Sequence, residues 1–185
     1  MFIQTESTPN PNSLKFLPGR QVMPQGTLDM RSANDAAASP LAAQLMALDG
    51  VEGVFYGIDF ISVTKAASGD WTIIKPHVQA RIMDFYMSGE VLLHPMQSAN
   101  SEAPAEQSSD PIIREIMAVI ETHIKPGVAR DGGDVKFIEF DQGVVYLEMR
   151  GACAGCPAAG ITLKSGIEKI MKTYIPEVNE VVSIT

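Results

Sequence analysis

The most reactive side chains of this 185-residue chain belong to two cysteines, Cys153 and Cys156, with two residues between them. The chain contains no other cysteine. Thiolates at this spacing can bind one metal ion or iron–sulfur cluster together, or form a disulfide that exchanges with other thiols. In a reducing compartment such a pair is more often a metal or redox site than a structural cross-link.

Both cysteines lie in a segment of small residues, 151–157, between a predicted strand and a helix that Pro157 begins. The N–H groups and partial positive charge at a helix N-terminus stabilise a thiolate relative to a thiol. Glycine and alanine leave room for a large group to approach, and exposed N–H groups can donate to sulfur. The sequence therefore predicts a loop that presents two thiolates.

The number of ligands in one chain is too small for a complete metal centre. A tetrahedral zinc ion or a cubane cluster takes four protein ligands, whereas this chain has two thiols. Its histidines, His77, His94 and His123, are scattered, and we interpret them as surface or core residues. Two chains related by a two-fold axis would bring four thiolates together. The count predicts a homodimer with a shared cluster that a short loop can release.

A second motif, RDGGDV over residues 130–135, precedes the cysteines. Its paired glycines between aspartates have the spacing of neither a calcium loop nor a phosphate loop. We interpret it as a tight turn that leads into a strand, because glycine adopts turn conformations without strain. No acid–base pair or nucleophile–base arrangement is evident, so we predict no catalytic residues and a protein that is not an enzyme.

Elements in the order α-β-β-α-β surround these motifs. The C-terminal domain, 110–185, is predicted to have a three-stranded sheet and two helices. Asp110 caps the first helix, which begins at Pro111 and ends at Pro126-Gly127. Strands are predicted over 135–140, 144–149 and 178–184, and a helix over 157–174 with its core positions at Leu163, Ile167, Ile170 and Tyr174.

The first part of the chain, 1–94, also predicts a small α+β domain. Its expected elements are strands 2–5 and 13–17, a helix opened by Pro40 and stopped by Gly50, a hairpin of 51–56 with 60–64, and a helix that Asp70 caps and that ends before Gly89. Residues 95–109 are rich in Ser, Ala, Gln and Pro without a periodic apolar face, which predicts a flexible linker. The fold class is thus α+β, with two small domains joined by this linker.

Charge and hydropathy exclude two classes of partner. The chain has 14 Lys and Arg against 22 Asp and Glu, a net charge of −8, and no basic cluster, so we predict no nucleic-acid partner. No apolar run approaches the length of a membrane helix, which predicts no membrane partner. The first residues have neither a basic start nor an apolar run, so we expect a cytoplasmic protein.

Two groups of motifs carry a resemblance to a known family. The segments GACAGCP (151–157) and RDGGDV (130–135) resemble the C-terminal domain of the NifU-like (Nfu) iron–sulfur proteins. The segments MFIQTE (1–6), TPNPN (8–12) and KFLPG (15–19) resemble the N-terminal domain of the same family. The presence of both modules in this order is a much more specific sign of this family than a C-x-x-C motif alone.

The resemblance implies that Cys153 and Cys156 bind a 4Fe–4S cluster at a homodimer interface. It implies a scaffold or carrier that receives the cluster from upstream assembly machinery and transfers it to apo iron–sulfur proteins. The N-terminal module would bind no cluster and would help to recognise partners. Mitochondrial members of the family carry a leader, so the resemblance combined with this N-terminus predicts a bacterial cytoplasmic member.

Two alternative functions remain open from the residues. A thiol–disulfide oxidoreductase would also place C-x-x-C between a strand and a helix, although no aromatic residue precedes Cys153. A structural zinc-bridged dimer would use the same four thiolates without transfer. We also expect Arg150 and Lys164 to form a basic surface beside an anionic cluster, where acceptors would dock.

Overall fold

The chain folds into two α+β domains, each with its own β-sheet, in a computed structural model that describes residues 2–93, 110–154 and 163–184. The predicted fold class is therefore confirmed. The predicted linker, 95–109, lies outside the described residues, and the domain boundaries stay predictions.

The N-terminal sheet has five antiparallel strands in the order β1-β2-β5-β4-β3. The strands are β1 (Gln4–Ser7), β2 (Ser13–Leu17), β3 (Leu28–Met30), β4 (Val51–Tyr56) and β5 (Ile61–Lys65). The predicted hairpin is confirmed as β4 and β5. Strand β3 was not predicted, because its three residues are too few to show an alternating pattern.

Three helices belong to this domain: α1 (Ala33–Ala36), α2 (Pro40–Met46) and α3 (Trp71–Ser88). Both predicted ends of α3 are confirmed. Asp70 accepts a hydrogen bond from the Thr72 N–H at 2.8 Å, and Gly89 follows the helix in the left-handed conformation. Its buried face packs on the sheet core through Ile74, Val78, Ile82 and Phe85.

The C-terminal sheet has three strands, β6 (Gly133–Asp141), β7 (Val144–Gly151) and β8 (Glu180–Ile184). β7 is central, pairing antiparallel with β6 and parallel with β8. The predicted α-β-β-α-β order is confirmed. The last strand begins at Glu180, two residues later than predicted, and Val178 is buried in the core ahead of it.

The first C-terminal helix does not end at Pro126-Gly127, so that prediction is wrong. Helix α4 (Pro111–Val119) continues through a π-helical turn (Ile120–Ile124) into α5 (Lys125–Arg130). The Lys125 N–H donates to the Ile120 carbonyl, five residues back. This wider turn lets the chain continue through Pro126, which has no N–H to donate.

The last helix, α6, spans Lys164–Tyr174. Its predicted start at Pro157 lies outside the described residues. Ile167 and Met171 are its buried residues. The prediction of Tyr174 as a core residue is wrong, since its ring is half exposed and stacks on His123 with centroids 4.4 Å apart. Within the described ranges, no helix has the length and apolarity to cross a membrane.

Stability of the N-terminal domain is expected to depend on the buried face of α3. Ile82→Ala removes a fully buried side chain and should lower the free energy of unfolding by about 2–5 kcal/mol. Ile73→Ala changes an exposed isoleucine of the same helix and should shift it by less than about 0.5 kcal/mol. Urea unfolding followed by the fluorescence of Trp71, the sole tryptophan, measures both variants. Equal shifts would contradict the assigned helix face.

Candidate functional site

Cys153 is positioned by the paired ends of β6 and β7. It follows β7 in a turn that the Ala154 N–H closes by donating to the Gly151 carbonyl at 3.1 Å. The Ala152 N–H donates to the Gly132 carbonyl at 3.2 Å, which extends the pairing of the two strands to the turn. Cys153 is therefore attached directly to the paired ends of β6 and β7.

The RDGGDV motif lies directly beside Cys153. A Cβ atom at Gly133 would lie 2.6 Å from the Cys153 Sγ and 2.6 Å from the Arg150 carbonyl oxygen. Gly132 has a φ of +81°, which confirms the tight turn that the glycines predict. The contact of Gly133 with the cysteine was not predicted, because the two residues are 20 positions apart in the sequence. The pairing of the strand that follows RDGGDV with the strand before Cys153 was the signal that could have shown it.

The thiol of Cys153 is not presented at the surface, contrary to the expectation. The residue is only 6% exposed and belongs to the apolar core of its domain together with Val135 and Met149. Cys156, the other predicted ligand, lies outside the described residues. Of the two predicted ligands, the structure therefore describes only Cys153, and the Cys153 side chain is buried.

Side chains of the N-terminal domain contact the backbone that carries Cys153. The Asn10 amide donates to the Ala152 carbonyl at 3.0 Å and, at 3.5 Å, to the Ala154 carbonyl. The Ser62 hydroxyl donates to the Gly132 carbonyl at 2.7 Å. These bonds hold both strand ends of the site from the other domain. The sequence carried no signal for this docking.

Asp29 of β3 and Arg31, which directly follows β3, bind the edge of β7. They do so beyond Glu148, where the pairing of β7 with β8 ends. The Arg31 guanidinium donates to the Met149 carbonyl at 3.1 Å, and the Gly151 N–H donates to the Asp29 carboxylate. Asp29 and Arg31 also form an ion pair of 2.8 Å. Burial raises the pKa of Asp29 above its usual value, although Arg31 and the Gly151 N–H oppose the change.

The other side chains predicted to act near the cysteines form ion pairs. Arg150 forms an ion pair with Glu148 at 3.3 Å, and Lys164 with Glu180 at 3.5 Å, so each predicted docking cation has an acidic neighbour. His77 is exposed, and His94 lies outside the described residues. In the part of the chain that the structure describes, no three His, Cys, Asp or Glu side chains are grouped to hold a metal ion.

Comparison with protein families matches both domains. Residues 3–89 match the family described as scaffold protein Nfu/NifU N terminal, and residues 116–182 match the NifU-like domain. The C-x-x-C pair lies within the second match. The chain therefore belongs to the Nfu/NifU family of iron–sulfur cluster scaffold proteins.

Curated relatives match nearly the full chain. The chain is 46% identical over 181 residues to a Drosophila grimshawi protein named NFU1 iron-sulfur cluster scaffold homolog, mitochondrial, covering 97% of this chain and 60% of that protein. It is 46% identical over 184 residues to NifU-like protein 5, mitochondrial, from Arabidopsis thaliana, covering 98% and 67%. A solution structure of a NifU-like protein from Saccharomyces cerevisiae has 29% identity and a TM-score of 0.46, over 50% of this chain and 84% of that one.

The expectation of a bacterial cytoplasmic protein is wrong. Relatives from insects and a plant that match nearly the whole chain are named as mitochondrial proteins. The chain spans 60% to 67% of the length of these relatives. The expectation depended on the first residues of the chain, and these are no guide to location when the relatives are longer.

Gly133→Ala is expected to displace Cys153. The added methyl group would overlap the Cys153 Sγ and the Arg150 carbonyl, which should cost about 1–3 kcal/mol of the free energy of unfolding. The displacement should also speed the reaction of the Cys153 thiol with an alkylating agent in a Cys156→Ser background. Urea unfolding followed by circular dichroism and the alkylation rate are the two measurements.

Gly127→Ala is the matched control for this substitution. No atom lies within 4 Å of a Cβ at Gly127, which is inside α5, so alanine should leave the thiol unchanged and stabilise the helix slightly. Wild-type stability and thiol reactivity in Gly133→Ala would contradict the close packing of Gly133 and Cys153.

Proposed function

We propose that this protein binds an iron–sulfur cluster through Cys153 and Cys156 and transfers it to apo iron–sulfur proteins. One observation carries the proposal: an Nfu N-terminal module and a NifU-like module that contains the C-x-x-C pair occur in one chain, in this order. The cluster is cargo rather than a resident cofactor. The protein acts as a scaffold or carrier and not as an enzyme.

The number of thiols supports a 4Fe–4S cluster that is shared by two chains. A cubane cluster takes four thiolate ligands, and one chain has only two cysteines. Two chains related by a two-fold axis supply the four ligands, so cluster binding and homodimer formation are one event in this proposal. Loss of the cargo then removes the bridge between the two chains.

The proposed partners follow from this carrier role. Upstream assembly machinery supplies the cluster, and apo-proteins that need one accept it. Transfer requires that the ligands release the cargo without unfolding the chain. Cys153 follows the last β6–β7 pair, Gly133–Gly151, and is not itself paired, so the ligand can shift while the two strands stay paired.

Anaerobic reconstitution with iron, sulfide and a thiol reductant, followed by native mass spectrometry, tests the proposal. The expected species is a dimer with four iron and four sulfur atoms. Cys153→Ser and Cys156→Ser should each abolish it, because either change leaves only two thiolates per dimer. Folding of both variants is checked by circular dichroism.

His77→Ala is the control for the ligand variants, because this exposed histidine is another metal-binding residue type and should not be a ligand. Its dimer should keep the full cluster. Zinc alone in the parent protein would instead favour a structural zinc dimer. A readily cycled Cys153–Cys156 disulfide without bound iron would favour the thiol–disulfide oxidoreductase.

A further inference from the structure

Three side chains of the N-terminal domain bind main-chain oxygens at the site of Cys153. Asn10 binds the Ala152 carbonyl, Ser62 binds the Gly132 carbonyl and Arg31 binds the Met149 carbonyl, at 3.0, 2.7 and 3.1 Å. We call these three hydrogen bonds the interdomain clamp. The acceptors lie in β7 (Met149), in the turn after it (Ala152) and directly before β6 (Gly132).

Asn10 is bound to both domains at once. Its amide nitrogen donates to the Ala152 carbonyl, while its side-chain oxygen accepts from the Asn12 N–H at 3.0 Å and shapes the turn of its own domain. Asn10 is only 2% exposed. If Ala152 alone moved away, water could not replace the lost acceptor of the Asn10 amide. A buried donor without a partner is costly, and the contact is therefore selective for this docked arrangement.

Ser62 makes a second contact of the same kind from β5. It is 1% exposed, and its hydroxyl donates to the carbonyl of Gly132, where a Cβ atom would lie only 2.7 Å from the Ser62 oxygen. The absence of a side chain at Gly132 thus permits the two domains to meet. Thr27 adds a contact beside the clamp, because its hydroxyl donates to the Asp134 carboxylate at 2.7 Å.

The docked arrangement leaves the Cys153 sulfur too enclosed for the proposed cargo. A cluster shared by two chains must touch the sulfur from outside both chains, yet Cys153 is only 6% exposed. The Asn10 amide holds the residues on both sides of Cys153, because it donates to the Ala152 carbonyl at 3.0 Å and to the Ala154 carbonyl at 3.5 Å. The turn cannot move outward while Asn10 keeps both bonds.

We propose that the N-terminal domain is a cover for the Cys153 thiol, and that the interdomain clamp opens before a cluster is bound. The first part concerns the chain without cargo and stands on the described contacts. The second part rests on the proposed function. The surface that forms the cover is the end of the N-terminal sheet around Asn10, Arg31 and Ser62, and its partner is the backbone of the Cys153 turn.

The substitution Asn10→Asp tests the cover with little change in shape. Aspartate keeps the side-chain oxygen that accepts from the Asn12 N–H, but it replaces the donor to the Ala152 carbonyl with a second acceptor. In a Cys156→Ser background Cys153 is the only thiol of the chain, so its rate of alkylation by iodoacetamide reports its exposure. The rate is expected to rise about fivefold, since one hydrogen bond is worth about that factor in the population of the open form.

Asn12→Asp is the matched control in the same segment. The Asn12 side-chain oxygen accepts from Lys65 of its own domain at 3.0 Å, and aspartate keeps this contact. Its alkylation rate should stay within about twofold of the parent, because no bond to the other domain is lost. The Trp71 indole N–H donates to the Pro11 carbonyl at 3.1 Å, so unchanged Trp71 emission shows that the segment keeps its conformation.

Ser62→Ala removes a different bond of the clamp and should also raise the alkylation rate. Parent rates in both Asn10→Asp and Ser62→Ala would overturn the proposal, because the C-terminal domain alone would then enclose the thiol. The assay contains no iron, so it tests the cover even if the chain takes up no cluster. In the chain with both cysteines, Asn10→Asp should also speed cluster uptake seen by visible absorbance. Faster alkylation with unchanged uptake would overturn the second part alone.

Discussion

Three glycines at the paired ends of β6 and β7 let atoms approach the backbone more closely than any side chain would allow. A Cβ at Gly133 would meet the Cys153 sulfur, one at Gly132 would meet the Ser62 hydroxyl at 2.7 Å, and one at Gly151 would meet the Phe55 ring at 2.8 Å. The same few residues therefore admit the cysteine from one domain and two side chains from the other. Both the enclosure of the thiol and the docking of the domains depend on this local absence of side chains.

The three bonds of the interdomain clamp recognise backbone geometry rather than side-chain identity. Arg31 binds the carbonyl of Met149, and Asp29 binds the N–H of Gly151. Both backbone groups lie in the part of β7 that is not paired with β8. Arg31 and Asp29 thus form hydrogen bonds with backbone groups at a strand edge that would otherwise bond to water or to another strand. Docking of this type requires β7 to be correctly paired up to its last residue, so the cover can form only on a folded C-terminal sheet.

Local signals in the sequence predicted the elements but not their assembly. Asp70, Gly89 and the apolar spacing of α3 fix a helix within its own residues, and its limits were predicted correctly. The continuation of the first C-terminal helix through Pro126 was not, since a π-helical turn is set by packing and not by propensity. For the site, the C-x-x-C pair was evident in the sequence. The contact of Asn10 with the turn that carries Cys153 joins residues 142 positions apart, and β3 is too short for a periodic pattern, so neither was evident.

The free energy of the interdomain clamp would lower the apparent affinity of the proposed carrier for its cargo. At about 1 kcal/mol net for each hydrogen bond, the three bonds of the interdomain clamp together stabilise the closed form by about 3 kcal/mol. Cargo that binds only the open form then has an apparent affinity lower by roughly 100-fold than the exposed thiolates alone would give. Closing the clamp also lowers the free energy of the chain as the cluster leaves. The N-terminal domain would thus favour release of cargo to an acceptor without touching the cluster, because it competes for the backbone that presents Cys153.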